Sequence, residues 1–203
     1  QREAVENISG ATLVLAGAGS GKTRVLTFKL LHLLVKKILT PNQILAVTFT
    51  NKAASEMKSR VSAMLNFPID KMWLGTFHSL SLKILRKNYE KVGLKKNFVI
   101  IDKDDQLKLI KKICEQEKID IKDISPKFFS NAIDGLKNRG IFFNDLKENK
   151  YRKHDEELRN VYKIYQNELL RINCVDFGDL ILLCIKLFNQ HEDVKKYYQN
   201  LFH

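Results

Sequence analysis

Four short stretches of the chain are apolar or β-branched without polar alternation: residues 13–16 (LVLA), 44–49 (ILAVTF), 72–77 (MWLGTF) and 98–101 (FVII). Runs of this length and continuity predict strands buried on both faces, the pattern of a parallel sheet. Between them the period lengthens. Residues 23–37, 52–65 and 78–92 read as helices; in the second, Ala54, Met57, Val61 and Met64 recur at i, i+3, i+7 and i+10. Strand alternating with helix predicts an α/β fold with a parallel sheet.

Beyond Asp102 the strand signals stop. Leu107, Ile110 and Cys114 share one helical face. The stretch ISPKFFSNAIDGLKNRG has Ser125 placed as N-cap, Pro126 at the first helical position and Gly140 as the stop. Leu158, Val161, Tyr162, Tyr165 and Leu169 recur at helical spacing within residues 154–172. Residues 103–169 therefore read as an all-helical insert, and VDFGDLILLCIKLF as a return to the first core. This predicts three parts: 1–102, 103–169 and 170–203.

Composition sharpens the picture in three ways. The 203 residues, 44% of them hydrophobic, suffice for one large or two small domains with a real core. No apolar run reaches the roughly 18 residues that span a bilayer, and QREAVENISG lacks the features of a secretory signal. Cys114, Cys174 and Cys184 are widely spaced among apolar neighbours and read as reduced core thiols of a cytosolic protein. The net charge of +12 is uneven: residues 1–102 hold sixteen Lys/Arg against six Asp/Glu, 103–169 fifteen against thirteen, and 170–203 four against four. A basic first part fits either a solvated surface or a polyanion partner.

The chemistry centres on LVLAGAGSGKTRVL. A buried strand, a glycine-rich turn and a helix in that order would expose backbone N–H groups with no intrahelical partner. The glycines would let that backbone close around an anion. Gly19, Ser20, Gly21 and Ala18 would cradle a phosphate chain, Lys22 would reach the β and γ phosphates, and the Thr23 hydroxyl would hold Mg²⁺. The pattern G-x-x-x-x-G-K-[ST] has Ala16 at its first position, which ends the strand instead of touching phosphate. A plain connecting turn is the alternative, and the joint presence of strand, Gly21, Lys22 and Thr23 weighs against it.

Other segments carry a family resemblance. AVTFTNKAASEMKSRV resembles motif Ia of the UvrD/Rep-type superfamily 1 helicases, and GTFHSL the next DNA-contacting motif. VDFGDLI resembles the segment before that family's acidic strand, and Gln1-Arg2 the end of its adenine-reading glutamine motif. The matches lie in order and cover essentially the whole chain. The resemblance implies a P-loop (RecA-like) core, incomplete here, with the helical insert. It implies ATP and Mg²⁺ as ligands, with Gln1 reading adenine and Arg24 stacking on it. It implies DNA contacts at Thr48, Phe49, Thr50, Asn51, Lys52, Thr76, Phe77 and His78. Taken singly, Phe49 and Phe77 read as core aromatics, and His78 as a structural histidine. Asp176 and Asp179, at i, i+3, read as N-cap and capping partner in preference to a metal pair. The family usually carries another acidic residue where Gly178 stands. Trp73 reads as core.

The activity so implied is that of an ATP-dependent DNA helicase: translocation on single-stranded DNA, 3′ to 5′, and unwinding of duplex DNA in repair or replication, in the cytoplasm near the nucleoid. A second RecA-like domain and repair proteins would be partners. Hydrolysis also needs carboxylates for Mg²⁺ and water, and arginines; the resemblance places these outside residues 1–203. The chain alone is thus expected to bind weakly and turn over negligibly. The rivals are a helicase–nuclease subunit in the RecB/AddA manner and a non-catalytic DNA-binding module.

Overall fold

The computed structural model describes residues 1–17, 19–65, 67–146 and 154–202. Its contacts divide the chain into two compact units, Gln1–Leu80 with Lys196–His203, and Ser81–Lys195. The architecture is a mainly helical α/β one with two small parallel sheets.

In the first unit, α1 (Arg2–Glu6) is followed by an extended stretch, then α2 (Lys22–Val35), β1 (Leu45–Thr48), α3 (Asn51–Met64), β2 (Trp73–Thr76) and the start of α4 (Phe77–Lys87). β1 and β2 pair in parallel, Leu45 with Trp73 through Thr48 with Thr76. Leu30, Leu31 and Leu34 of α2 and Met57 and Val61 of α3 pack over Ala46, Ile44 and Met72 to form the core. Ala54 is buried as its spacing predicts, whereas Met64 is 57% exposed. Trp73 is core, with edge-to-face contacts to Tyr198 and Phe202; Tyr198 lies on α9 (Glu192–Leu201) and Phe202 just after it, in the part of the chain's end that belongs to this unit.

The expected first strand is corrected. Residues 13–16 form no strand, and Leu13 and Leu15 are 83% and 87% exposed. A strand is defined by its ladder, and this run has no ladder partner among the described residues; without one its backbone and side chains face solvent. The expectation of strands buried on both faces also fails. Burial alternates along β2, and Leu45 of β1 is 45% exposed although Trp73, its partner in register, is buried against Tyr198 and Phe202; the cover on that face reaches β2 and leaves Leu45 open.

The second unit is built on α5 (Lys103–Gln116), α6 (Pro126–Asn138), α7 (Asp155–Arg171) and α8 (Phe177–Gln190). Ile110, Ile113, Cys114, Phe129, Ile133, Leu136, Val161, Tyr162, Tyr165 and Leu169 make its core. Ser125 caps α6 by accepting the Phe128 amide, with Pro126 at the first position. Two expectations change here. The run at 98–101 shortens to β3 (Val99–Ile100), which pairs in parallel with β4 (Cys174–Val175) instead of joining β1 and β2. Strands therefore do recur after Asp102, in a piece of two residues, too short for periodicity to register. On α5, Leu107 is partly exposed while Gln106 and Ile113 are buried. The inward face is rotated because Gln106 is drawn into the polar network described below. Cys114, Cys174 and Cys184 are free thiols, and burial raises Cys184 to about 11. No helix among the described residues is long and apolar enough to cross a membrane.

Candidate functional site

The glycine-rich turn has the backbone that an anion cradle needs. Gly19 and Gly21 take the left-handed conformation at φ 75° and 88°, which side-chain-bearing residues resist. Gly21 is the N-cap of α2 and supplies no side-chain cap, so the first-turn amides of Lys22, Thr23 and Arg24 keep no intrahelical acceptor. A Cβ at Gly19 or Gly17 would meet nothing within 4 Å, so the turn opens onto free space. Lys22 arches back over it: its Nζ donates to the carbonyls of Ala16 at 3.1 Å and Gly17 at 2.7 Å. Ser20 Oγ donates to the Gly17 carbonyl at 2.7 Å. Thr23 is exposed at the helix start, and its carbonyl accepts from Thr27 Oγ1. Ala18 lies outside the described residues.

Gln1 folds onto the same turn. Its Nε2 donates to the Ser20 carbonyl at 3.0 Å and crowds the space a Cβ on Gly21 would take. A cavity of about 260 Å³ opens beside it, lined among others by Gln1, Val5, Arg24, Phe28 and His32. Arg24, expected to stack on a base, here places its guanidinium 5.6 Å from the Phe28 ring centroid. The cavity thus offers apolar walls, an amide edge and a cation. Lys29 donates to the Asn7 carbonyl at the end of α1, a favourable place for a cation, and so ties the helix that begins after Gln1 to α2.

The paired ends of β1 and β2 present the other group of residues. Thr48 and Thr76 are in register, and the residue after each is an aromatic turned to solvent: Phe49 is 97% exposed and Phe77 62%. Neither is the core aromatic that its apolar neighbours alone suggest. The reason is the capping chemistry. The Thr50 hydroxyl accepts the Ala53 amide at 3.1 Å and starts α3. Thr76 N–H donates to Ser79 Oγ at 2.9 Å while Ser79 N–H donates to Thr76 Oγ1 at 3.2 Å, starting α4. Each strand therefore turns into its helix with the intervening phenylalanine outside. Gly75 permits the tighter turn, since a Cβ there would lie 2.4 Å from Ser79 Oγ. Asn51, Lys52 and His78 are exposed on the same turns.

Sequence reasoning missed a third such aromatic. In the second unit β4 ends at Val175, Asp176 caps α8 in a full capping box with Asp179, and Phe177 at the first helical position is 59% exposed. The signal was present in the pattern shared by TFHS and DFGD: a capping residue, a phenylalanine and a second capping residue three positions after the first.

Beneath Phe177 lies a buried polar network that spacing could not show. Lys137 on α6 is fully buried at its side chain and reaches Asp176 Oδ2 at 2.6 Å and Asp179 Oδ1 at 2.7 Å. Tyr165 OH donates to Asp176 Oδ2 at 2.8 Å and Gln166 Nε2 to Asp179 Oδ1 at 3.1 Å. Gln106 accepts from Ser130 and joins the same cluster. Burial pushes the Asp179 carboxyl up, countered in part by Lys137. Burial, then the neighbouring Asp176, raises Tyr165.

The raised Asp179 has a sign that can be checked. A carboxyl raised by folding adds stability that is complete below the ordinary carboxylate range and is lost as pH rises through its folded-state value. Asp179→Asn removes this dependence. The wild type is expected to gain stability relative to Asp179→Asn as pH falls from 7 toward 4, measured by urea midpoints. A constant difference across that range contradicts the raised carboxyl.

A family model described as UvrD/REP helicase N-terminal domain matches residues 1–203. The chain is 44% identical over 202 residues to the ATP-dependent DNA helicase PcrA of Staphylococcus epidermidis. It is 43% identical to those of Staphylococcus aureus strains Mu50 and COL. In each case the whole chain is covered and 28% of the relative's length is matched.

Proposed function

Because the chain belongs to the UvrD/REP helicase N-terminal domain family, we propose that it is the ATP- and DNA-holding part of a helicase motor that moves on single-stranded DNA and unwinds duplex. The 3′ to 5′ direction, the repair or replication setting and the RecA-like character of the core, with parts at 1–102, 103–169 and 170–203, belong to this proposal. The observation that carries it is the Lys22 ammonium held over a turn whose two glycines have positive φ.

The residues fit a nucleoside triphosphate. The amides of Lys22, Thr23 and Arg24, which have no intrahelical acceptor, suit its phosphates; the Ser20 amide is bonded to the Gly17 carbonyl. A polyanion offers the Lys22 ammonium stronger, charge-assisted bonds than two neutral carbonyls do. The Thr23 hydroxyl, exposed at the start of α2, would ligate Mg²⁺, which when bound would neutralise charge developing on the transferred phosphoryl group. Gln1 and the Arg24–Phe28 pair suit an adenine edge and face.

Phe177 in the second unit, and separately Phe49 and Phe77 at the paired strand ends of the first, suit unpaired bases, because every base has a π-face and stacking tolerates sequence. Thr48, Thr50, Asn51, Lys52, Thr76 and His78 suit the phosphates between them. A shift at the nucleotide turn can alter grip on DNA if it moves these strand ends. Phe49→Ala and Phe77→Ala are each expected to weaken binding of oligothymidylate by about 1–3 kcal/mol, read by fluorescence anisotropy at one fixed salt concentration. Since both rings are exposed, thermal stability should not change; unchanged affinity in both variants removes the DNA reading of this face.

A further inference from the structure

We infer that Lys137 is a positioning residue for Phe177: its buried ammonium clamps the two carboxylates that flank the ring and makes the turn tolerable to a polyanion. The inference rests on the reading of Phe177 as a base-stacking residue.

Asp176 and Asp179 stand immediately before and two residues after the exposed ring, and both are buried. Each carboxylate is held by one oxygen in the capping box, Asp176 Oδ1 by the Asp179 amide and Asp179 Oδ2 by the Asp176 amide. The remaining oxygens converge on Lys137 Nζ. The same ammonium lies 5.1 Å from the Tyr165 ring centroid and 5.8 Å from that of Tyr162. Its direction is therefore determined from three sides. The stem is fixed too: a Cβ on Gly178 would fall 2.9 Å from Lys137 Cδ and 3.1 Å from its Cβ. Glycine directly after Phe177 is what lets the lysine lie against the turn.

Stability alone does not account for such a lysine, because apolar residues of similar volume generally serve a core as well as a buried ion pair does. What apolar residues cannot do is offset two negative charges under a ring that must receive a phosphate-bearing strand. Binding to nucleic acid is dominated by phosphate electrostatics, so uncompensated carboxylates at that point oppose it. With Lys137 in place one negative charge remains, shared among Tyr165, Gln166 and backbone donors.

The test uses the full-length protein and an oligothymidylate carrying 2-aminopurine, whose quenching reports stacking. Phe177→Ala defines the part of the quench that belongs to this ring. Lys137→Met is expected to lose that same part and to bind about tenfold more weakly, the effect of one stacked base. Adding Asp176→Asn and Asp179→Asn, which removes the stranded charges, is expected to restore both. A folded Lys137→Met with wild-type quenching and affinity overturns the inference, as does a triple variant that remains at the level of the single one. If Lys137→Met does not fold, Gly178→Ala decides, since it displaces the stem; part of the quench should disappear, and a wild-type quench overturns the inference. Wild-type binding by Phe177→Ala instead refutes the stacking reading itself.

Discussion

Lys22→Ala in the full-length protein is expected to lower ATP turnover by about a hundredfold to a thousandfold, the usual cost of deleting one preorganised donor at a site of developing charge. The side chain is exposed and packs in no core, so folding and thermal stability should stay as they are. Among the described residues its hydrogen-bond partners are the Ala16 and Gly17 carbonyls of the turn it arches over, so alanine deletes a cation without stranding a buried group. Lys22→Arg should rescue poorly, because a planar fork does not present a compact point charge. Phosphate release measured with saturating single-stranded DNA reads the turnover, and anisotropy reads DNA binding, which the variant should retain because Phe49 and Phe77 stand on other turns. Hydrolysis left intact by Lys22→Ala would remove the motor reading. Wild-type protein that binds DNA but never hydrolyses ATP would point instead to a non-catalytic DNA-binding module.

The same residue shows how much could be read beforehand. The shape of the turn was legible, with Gly19 and Gly21 at positive φ and Lys22 and Thr23 opening α2, because it comes from a few consecutive positions; the phosphate role of these residues belongs to the proposal. The strand expected just before them was not legible, because whether LVLA becomes a strand depends on a ladder partner elsewhere, and hydrophobicity reports only the side chains. Phe49 and Phe77 illustrate the limit from the other direction. Their apolar neighbours suggest a core position, yet Thr50 and the Thr76–Ser79 pair set the turn that puts them outside. The capping residues were the more informative signal. Asp176 and Asp179 were correctly read as cap and capping partner. Lys137, far away on another helix, could not be joined to them without the tertiary fold, nor could the space at Gly178 that admits it.

Asp176→Ala should be the most destabilising polar substitution in the second unit, by about 3–5 kcal/mol, the cost of breaking a buried ion pair from one side. The carboxylate has three roles at once. It caps α8 through the Asp179 amide, a contact worth about 1 kcal/mol. It takes one of the two ion-pair bonds of Lys137. It also accepts the Tyr165 hydroxyl, which alanine would leave buried and unpaired. Because these roles share one group, their losses cannot relax separately, and a small side chain leaves room but no acceptor. Asp176→Asn keeps the shape, the cap and one acceptor, and should recover part of the loss; Asp176→Ala with Lys137→Met removes the stranded cation and should recover more than the single changes imply. Urea denaturation monitored by far-UV circular dichroism, with the four proteins compared as a double-mutant cycle, measures this coupling. Strict additivity would mean that Asp176 and Lys137 act independently, and the network would then be two separate contacts rather than one unit holding Phe177 in place.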